Sequence, residues 1–132
     1  MWGVNALVGC AIMGRHLIIS TSSELVRAAS AELVYISSDG NYSTLVFASG
    51  DSRVVAMQLG QIATLIDSQF HSADNSFIRI GKSLIINRDF ISYINPGRGQ
   101  LVLSDGRIAN HSLPASREAL KQLKDLIEKE EA

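Results

Sequence analysis

The sequence predicts a mainly β fold, packed antiparallel sheets with one short internal helix and a second helix at the C-terminal end. Three observations predict it. Branched and aromatic residues gather in short runs between turns rich in Gly, Asn and Asp. Two segments switch to the spacing of a helix, with apolar residues three and four apart. At 132 residues, with 46% hydrophobic and 19% charged, the chain has material for one real core and lacks the composition of a disordered segment.

The elements follow in order. His16 to Thr21 (HLIIST) is β-like. Leu33 to Ser37 (LVYIS) is a second such run, followed by Asp39-Gly40-Asn41, where glycine accepts positive φ at no steric cost. Tyr42 to Ala48 and Arg53 to Met57 are separated by the turn Ser49-Gly50-Asp51-Ser52, which makes the region a meander. Leu59, Ile62, Ala63 and Ile66 recur at helical spacing, so Gln58 to Ser68 is a short amphipathic helix, weakened by Gly60. A polar loop leads to FIRI, the turn Gly81-Lys82-Ser83, LIIN, and FISYI from Phe90. Asn95-Pro96-Gly97-Arg98-Gly99 is a tight turn by composition. LVLS and RIAN flank Ser104-Asp105-Gly106, a hairpin signal. Ser116 caps a final helix whose apolar stripe is Ala119, Leu120, Leu123, Leu126 and Ile127, with Glu118 favourably placed for its dipole and Pro114 in the loop ahead.

Residues 1–15 are set apart. The run from Trp2 to Gly14 is apolar except for Asn5. It is shorter than the roughly 20 residues of a spanning helix and lacks the basic start of a signal peptide. We expect 1–15 to be an apolar extension and 16–132 to be the folded domain. The single cysteine, Cys10, allows no internal disulfide, which fits a cytoplasmic protein.

Catalytic and metal patterns are missing. A phosphate-binding loop needs G-x-x-x-x-G-K-[ST], and the residue five before Gly81 is Ser76. His16, His71 and His111 lie in separate segments with no metal-ligand spacing. No nucleophile elbow or S-x-x-K pair is present, and turn structure accounts for Asp39, Asp51 and Asp105. We therefore expect no enzyme activity, cofactor, metal or small-molecule substrate.

Charge points to a surface. Lys plus Arg is 12 against 13 for Asp plus Glu, a net charge of −1, so any basic patch must arise by segregation. Between Ser72 and Arg117 stand Arg79, Lys82, Arg88, Arg98, Arg107 and Arg117 against Asp74, Asp89 and Asp105; after it the acids outnumber the bases. Three places display polar groups on short turns or a helix start. Lys82 sits on a turn held by two strands that want burial, with its ammonium in water. Arg117 sits in the first turn of a helix, where the macrodipole disfavours a cation and a phosphate is welcome. Asn41 and Tyr42 follow a Gly turn, and both can donate to phosphates.

Four segments carry these points in the order and spacing of one family. They are ELVYISSDGNYSTLVF, the L-x-x-I helix around Leu59 to Ile66, FIRIGKSLIINRDFISYI, and LVLSDGRIANHSLPASREALKQL. From about His16 to Glu128 the chain resembles the LytTR DNA-binding domain, the output module of a class of bacterial two-component response regulators. The third segment is the most specific, similar to F-x-R-I-H-[RK]-S-x-x-[IV]-N-x-x-x-I, and the fourth ends in a [LI]-P-x-S-R run.

The resemblance implies elongated packed β-sheets and transcription regulation by sequence-specific binding to double-stranded DNA, read through loop side chains rather than a recognition helix. It also implies repeated sites occupied by pairs, a homodimer on DNA, and control through a sensor or receiver partner. It places DNA contacts at Asn41 or Tyr42, at Lys82 and at Arg117 after Ser116, with Arg79 and Ser83 in the same motif. Gly81 stands where the family usually has His, which removes a donor and loosens the turn. That departure, the near-neutral charge and the missing receiver keep an alternative open, a protein-interaction module that retains the fold without DNA binding.

Overall fold

The computed structural model describes residues 15–71, 75–104 and 110–131. The apolar stretch 1–14 and the Asp105-Gly106 turn lie outside them.

β1 (His16–Ser20) and β2 (Leu25–Ala29) form an antiparallel pair of their own. β3 (Leu33–Asp39), β4 (Tyr42–Phe47) and β5 (Ser52–Val55) make an antiparallel meander. After α1 (Leu59–Gln69), the hairpin of β6 (Phe77–Ile80) and β7 (Leu84–Asn87) joins the meander through β7, giving the order β5-β4-β3-β7-β6. β8 (Ile91–Asn95), β9 (Gln100–Ser104) and β10 (Asn110–Pro114) form a third antiparallel sheet, and α2 (Arg117–Glu131) follows it.

The five-stranded sheet is buried on both faces. One core holds Leu17, Ile19, Val26 and Ala28 from the small sheet, Ile62 and Ile66 from α1, and Leu45 and Ile85 from the central sheet. The other holds Ile80, Leu84 and Ile86 from the central sheet, Leu101 and Leu103 from β9, and Leu120 and Leu123 from α2. This is why LIIN is an unbroken apolar run: all four residues of β7 are buried, and alternate ones enter opposite cores. In β3 the register shifts between Leu33 and Tyr35, so Val34 and Tyr35 both serve the second core and Ile36 the first. A bulge breaks the strict two-residue alternation in this way.

Two expectations need correction. The meander does not begin at β1, because β1 pairs only with β2, a strand the residue pattern did not predict. LVRAA carries Ala and Arg, which suit helices better than sheets, but Val26 and Ala28 point inward and the core decides. The return strand after β9 is described over Asn110–Pro114, with Ser104 opposite Asn110 and Gln100 opposite Pro114; the first three residues of RIAN lie outside the described residues. Pro114, expected in a loop, closes an edge strand, where a missing donor costs no ladder bond.

Candidate nucleic-acid interface

Strand direction determines which turns meet. β3 and β7 are antiparallel, with Ser37 opposite Leu84. The end of β3 therefore lies beside the start of β7. The β3–β4 turn, Gly40-Asn41, and the β6–β7 turn, Gly81-Lys82-Ser83, occupy the same end of the sheet. A backbone bond joins them, from Ser38 N to the Ser83 carbonyl at 2.8 Å. Two strand spacings, roughly 10 Å, separate their centres.

α2 brings a third element there. Arg88, just past the far end of β7, pairs with Glu130 near the end of α2. A shallow cleft of about 190 Å³ is lined by Ile80, Gly81, Ala119 and Gln122. α2 thus runs along the β6–β7 hairpin with its first turn at the Gly81 end, which sets Ser116 and Arg117 at the end of the sheet that carries the two turns. The remaining connections agree. Ser43 of β4 pairs with Val55, so β5 finishes at this end and α1 begins there. Gln58 Nε2, just ahead of α1, donates to Asn41 Oδ1 at 3.0 Å.

Each expected residue now has a place. Asn41 is exposed, with its carbonyl oxygen engaged by Gln58 and its amide NH2 free to donate. Tyr42 is 56% exposed, unusual for an aromatic ring at a strand start. Lys82 and Ser83 are exposed at the tip of their turn, and the Ser83 carbonyl braces the neighbouring one. Gly81 has φ +62°, and a Cβ there would meet nothing within 4 Å. Its glycine suits the backbone conformation rather than a crowded space; His is among the side-chain residues enriched in that conformation. Arg79 is exposed on β6, and its guanidinium reaches over Gly60 in the first turn of α1. Ser116 Oγ accepts from Ala119 N at 3.1 Å, capping α2, while its hydroxyl hydrogen remains available. Arg117 is exposed.

The end is electropositive by construction. The N-termini of α1 and α2 both face it, each equivalent to roughly half a positive charge. The side chains of Arg79, Lys82 and Arg117 have no hydrogen bond or ion pair among the described residues. Asp39 and Glu118 are carboxylates at the same end. Toward the opposite end, Glu24, Glu32 and Asp51 line a cleft together with Arg27 and Arg53, and the acids Glu128 and Glu130 of α2 pair with Lys124 and Arg88.

Residues 23–128 match the family model described as LytTr DNA-binding domain. This chain belongs to that family. LytTr is a DNA-binding domain family, not a family of enzymes, and its reach covers every element from β2 to most of α2. Among solved structures the chain is similar to the LytTr DNA-binding domain of a protein described as a methyl-accepting/DNA response regulator from Bacillus cereus. The TM-score is 0.60 at 17% identity, covering 86% of this chain and 96% of that one. At this identity the likeness supports the LytTr fold alone. No curated protein matches the chain. Among the described residues no helix is long and apolar enough to cross a membrane, and no group of three His, Cys, Asp or Glu is placed to hold a metal ion.

Proposed function

We propose that the chain is a sequence-specific, double-stranded DNA-binding regulator of transcription that reads the major groove through loop side chains. One observation carries the reading: two stiff turns and a helix start, bearing exposed and unpaired Lys82 and Arg117, stand together at one end. A cation on a rigid turn contributes a charge-assisted contact to a phosphate, or to O6 and N7 of a guanine. Asn41 or Tyr42 supplies the polar contact beside it, and an Asn amide can pair with adenine. The roughly 10 Å between the two turns is below the roughly 12 Å width of the major groove, so both reach a single groove or its rims. Ser83 and Ser116 serve as phosphate donors as well as braces, and Arg79 flanks the contact. We expect the domain to act in the cytoplasm, as pairs on repeated sites, with its signal coming from a sensor or receiver partner protein.

Selection from a random duplex library at moderate salt tests this. A recovered repeat motif is the expected result. Lys82→Ala and Arg117→Ala should each weaken binding to that motif while far-UV circular dichroism stays at the wild-type value. The logarithm of affinity should fall by about 0.9 per tenfold salt for each phosphate contacted. No retention of duplex at low salt, with a protein partner recovered instead, sinks the DNA reading in favour of an interaction module.

A further inference from the structure

The turn from β8 to β9 reaches the same end of the molecule, and the residue motifs assign it nothing beyond a reversal of direction. Asn95 pairs with Gln100, and Gln100 pairs with Pro114, so the turn Pro96-Gly97-Arg98-Gly99 lies beside the chain just before α2. The 3-10 turn Pro96–Arg98 packs against α2. Ala115 N donates to the Gly99 carbonyl at 3.2 Å, only two residues ahead of Arg117. We infer that Arg98 is a further DNA contact of this domain, a phosphate clamp next to Arg117 that strengthens binding without reading sequence. This rests on the DNA-binding reading above and extends it to the third sheet.

Three features support it. The turn is held from several sides. Pro96 fixes one φ, Asn95 Oδ1 accepts from Arg98 N at 3.1 Å, and Asn95 Nδ2 donates to the Tyr93 hydroxyl at 2.9 Å. Gly99 sits at φ +65° with so little room that a Cβ would lie 3.1 Å from the Ala115 carbonyl oxygen. A side chain on such a base loses little backbone freedom when it binds. Second, Arg98 is exposed, and its guanidinium has no hydrogen bond or ion pair among the described residues. Third, its surroundings disfavour an unmatched cation. The N-terminus of α2 and Arg117 are both positive, with Glu118 as the nearby acid in the first turn. An external anion relieves that repulsion. A guanidinium takes a phosphate through a two-pronged contact, and backbone phosphates recur beside any groove that Arg117 enters.

The measurement is equilibrium binding of the full chain to the selected duplex and to an unrelated duplex, by fluorescence anisotropy over a series of salt concentrations. The variants are Arg98→Ala, Arg98→Lys, Lys82→Ala and, at the cleft beside the β4–β5 turn, Arg53→Ala. Arg98→Ala should weaken both duplexes by a similar factor, about tenfold at low salt, and lower the salt slope by about 0.9. Arg98→Lys should restore the slope, because charge release needs only the cation, while affinity recovers in part because the two-pronged geometry is lost. Arg53→Ala should bind as wild type does. If wild type binds and Lys82→Ala weakens it, but Arg98→Ala keeps the wild-type affinity and slope, the Arg98 contact is wrong and the DNA-binding reading stands. Loss confined to the selected duplex would also overturn it, showing a base contact in place of a phosphate clamp. If wild type binds neither duplex, both readings fall together. Circular dichroism on each variant separates lost binding from lost folding, and Arg98→Lys carries the test if the alanine variant unfolds.

Discussion

Asn87 closes β7 with a fully buried amide that is satisfied three times over. Its Nδ2 donates to the carbonyls of Ser30 at 3.1 Å and Leu33 at 3.0 Å, and its Oδ1 accepts from Asp89 N at 3.0 Å. It ties the β2–β3 turn, the start of β3 and the 3-10 turn after β7 into one corner. This explains why an Asn ends the otherwise apolar LIIN run, a role the residue pattern did not disclose. Leucine fills a similar volume but leaves two carbonyls and an N–H without partners, at roughly 1–3 kcal/mol for each unmet group. Asn87→Leu should therefore lower unfolding free energy by about 3 kcal/mol or more in a urea titration. A loss below about 1 kcal/mol would mean that water replaces the amide and the corner is not locked. At the same scale the display residues were legible as residue types on turns; their freedom from partners was not, since it depends on what other segments bring near them.

α2 is the element where a cap and a proposed contact coincide. Ser116 Oγ meets Ala119 N, Glu118 answers the dipole, and Leu120 and Leu123 enter the second core. The last turns add an exposed pair between Lys124 and Glu128 at 2.9 Å, whose hydrogen bond and charge raise the Lys124 ammonium above its ordinary value. That pair is solvent-exposed and contributes little to folding. The cap is different. Ser116→Ala should cost about 1 kcal/mol of stability, whereas Ser116→Asp keeps an acceptor and should unfold at the wild-type urea midpoint. On DNA the order reverses, because a carboxylate beside Arg117 repels phosphates. Anisotropy should show Ser116→Asp binding more weakly than Ser116→Ala at low salt. Equal binding by the two variants would remove Ser116 and its neighbour from the contact surface.

At the scale of the whole molecule, β7 is shared by both cores, with Ile85 in one and Ile86 in the other. Two layers that share one sheet, with β3 and β6 also contributing to both cores, should not melt separately. We expect a single unfolding transition, with far-UV and near-UV circular dichroism superimposing. Ile85→Ala and Ile86→Ala should each destabilise the fold by about 2–5 kcal/mol and shift that one transition without splitting it. Two resolved transitions in either variant would show that the small sheet with α1, or the third sheet with α2, stands alone. The gathering of cations belongs to this scale too, since the hairpin carrying Arg79 and Lys82, the turn carrying Arg98 and the helix start carrying Arg117 meet only when the sheets stack.

The chain's local chemistry determined its elements. Branched runs, Gly and Asn turns and two helical stripes specify most strands, both helices, the Ser116 cap and the polar tips at 41, 82 and 117, because these depend on neighbours along the sequence. Tertiary structure decided the rest. β2 is a strand because a core needed its Val26 and Ala28, and Pro114 joins a strand because Gln100 of β9 lies opposite it. The gathering of the tips, and the arrival of Arg98 among them, follow from the antiparallel pairing of β3 with β7 and the direction of α2. Such pairings join residues far apart in the sequence, and their free energy comes from the apolar surface that only the assembled layers exclude from water.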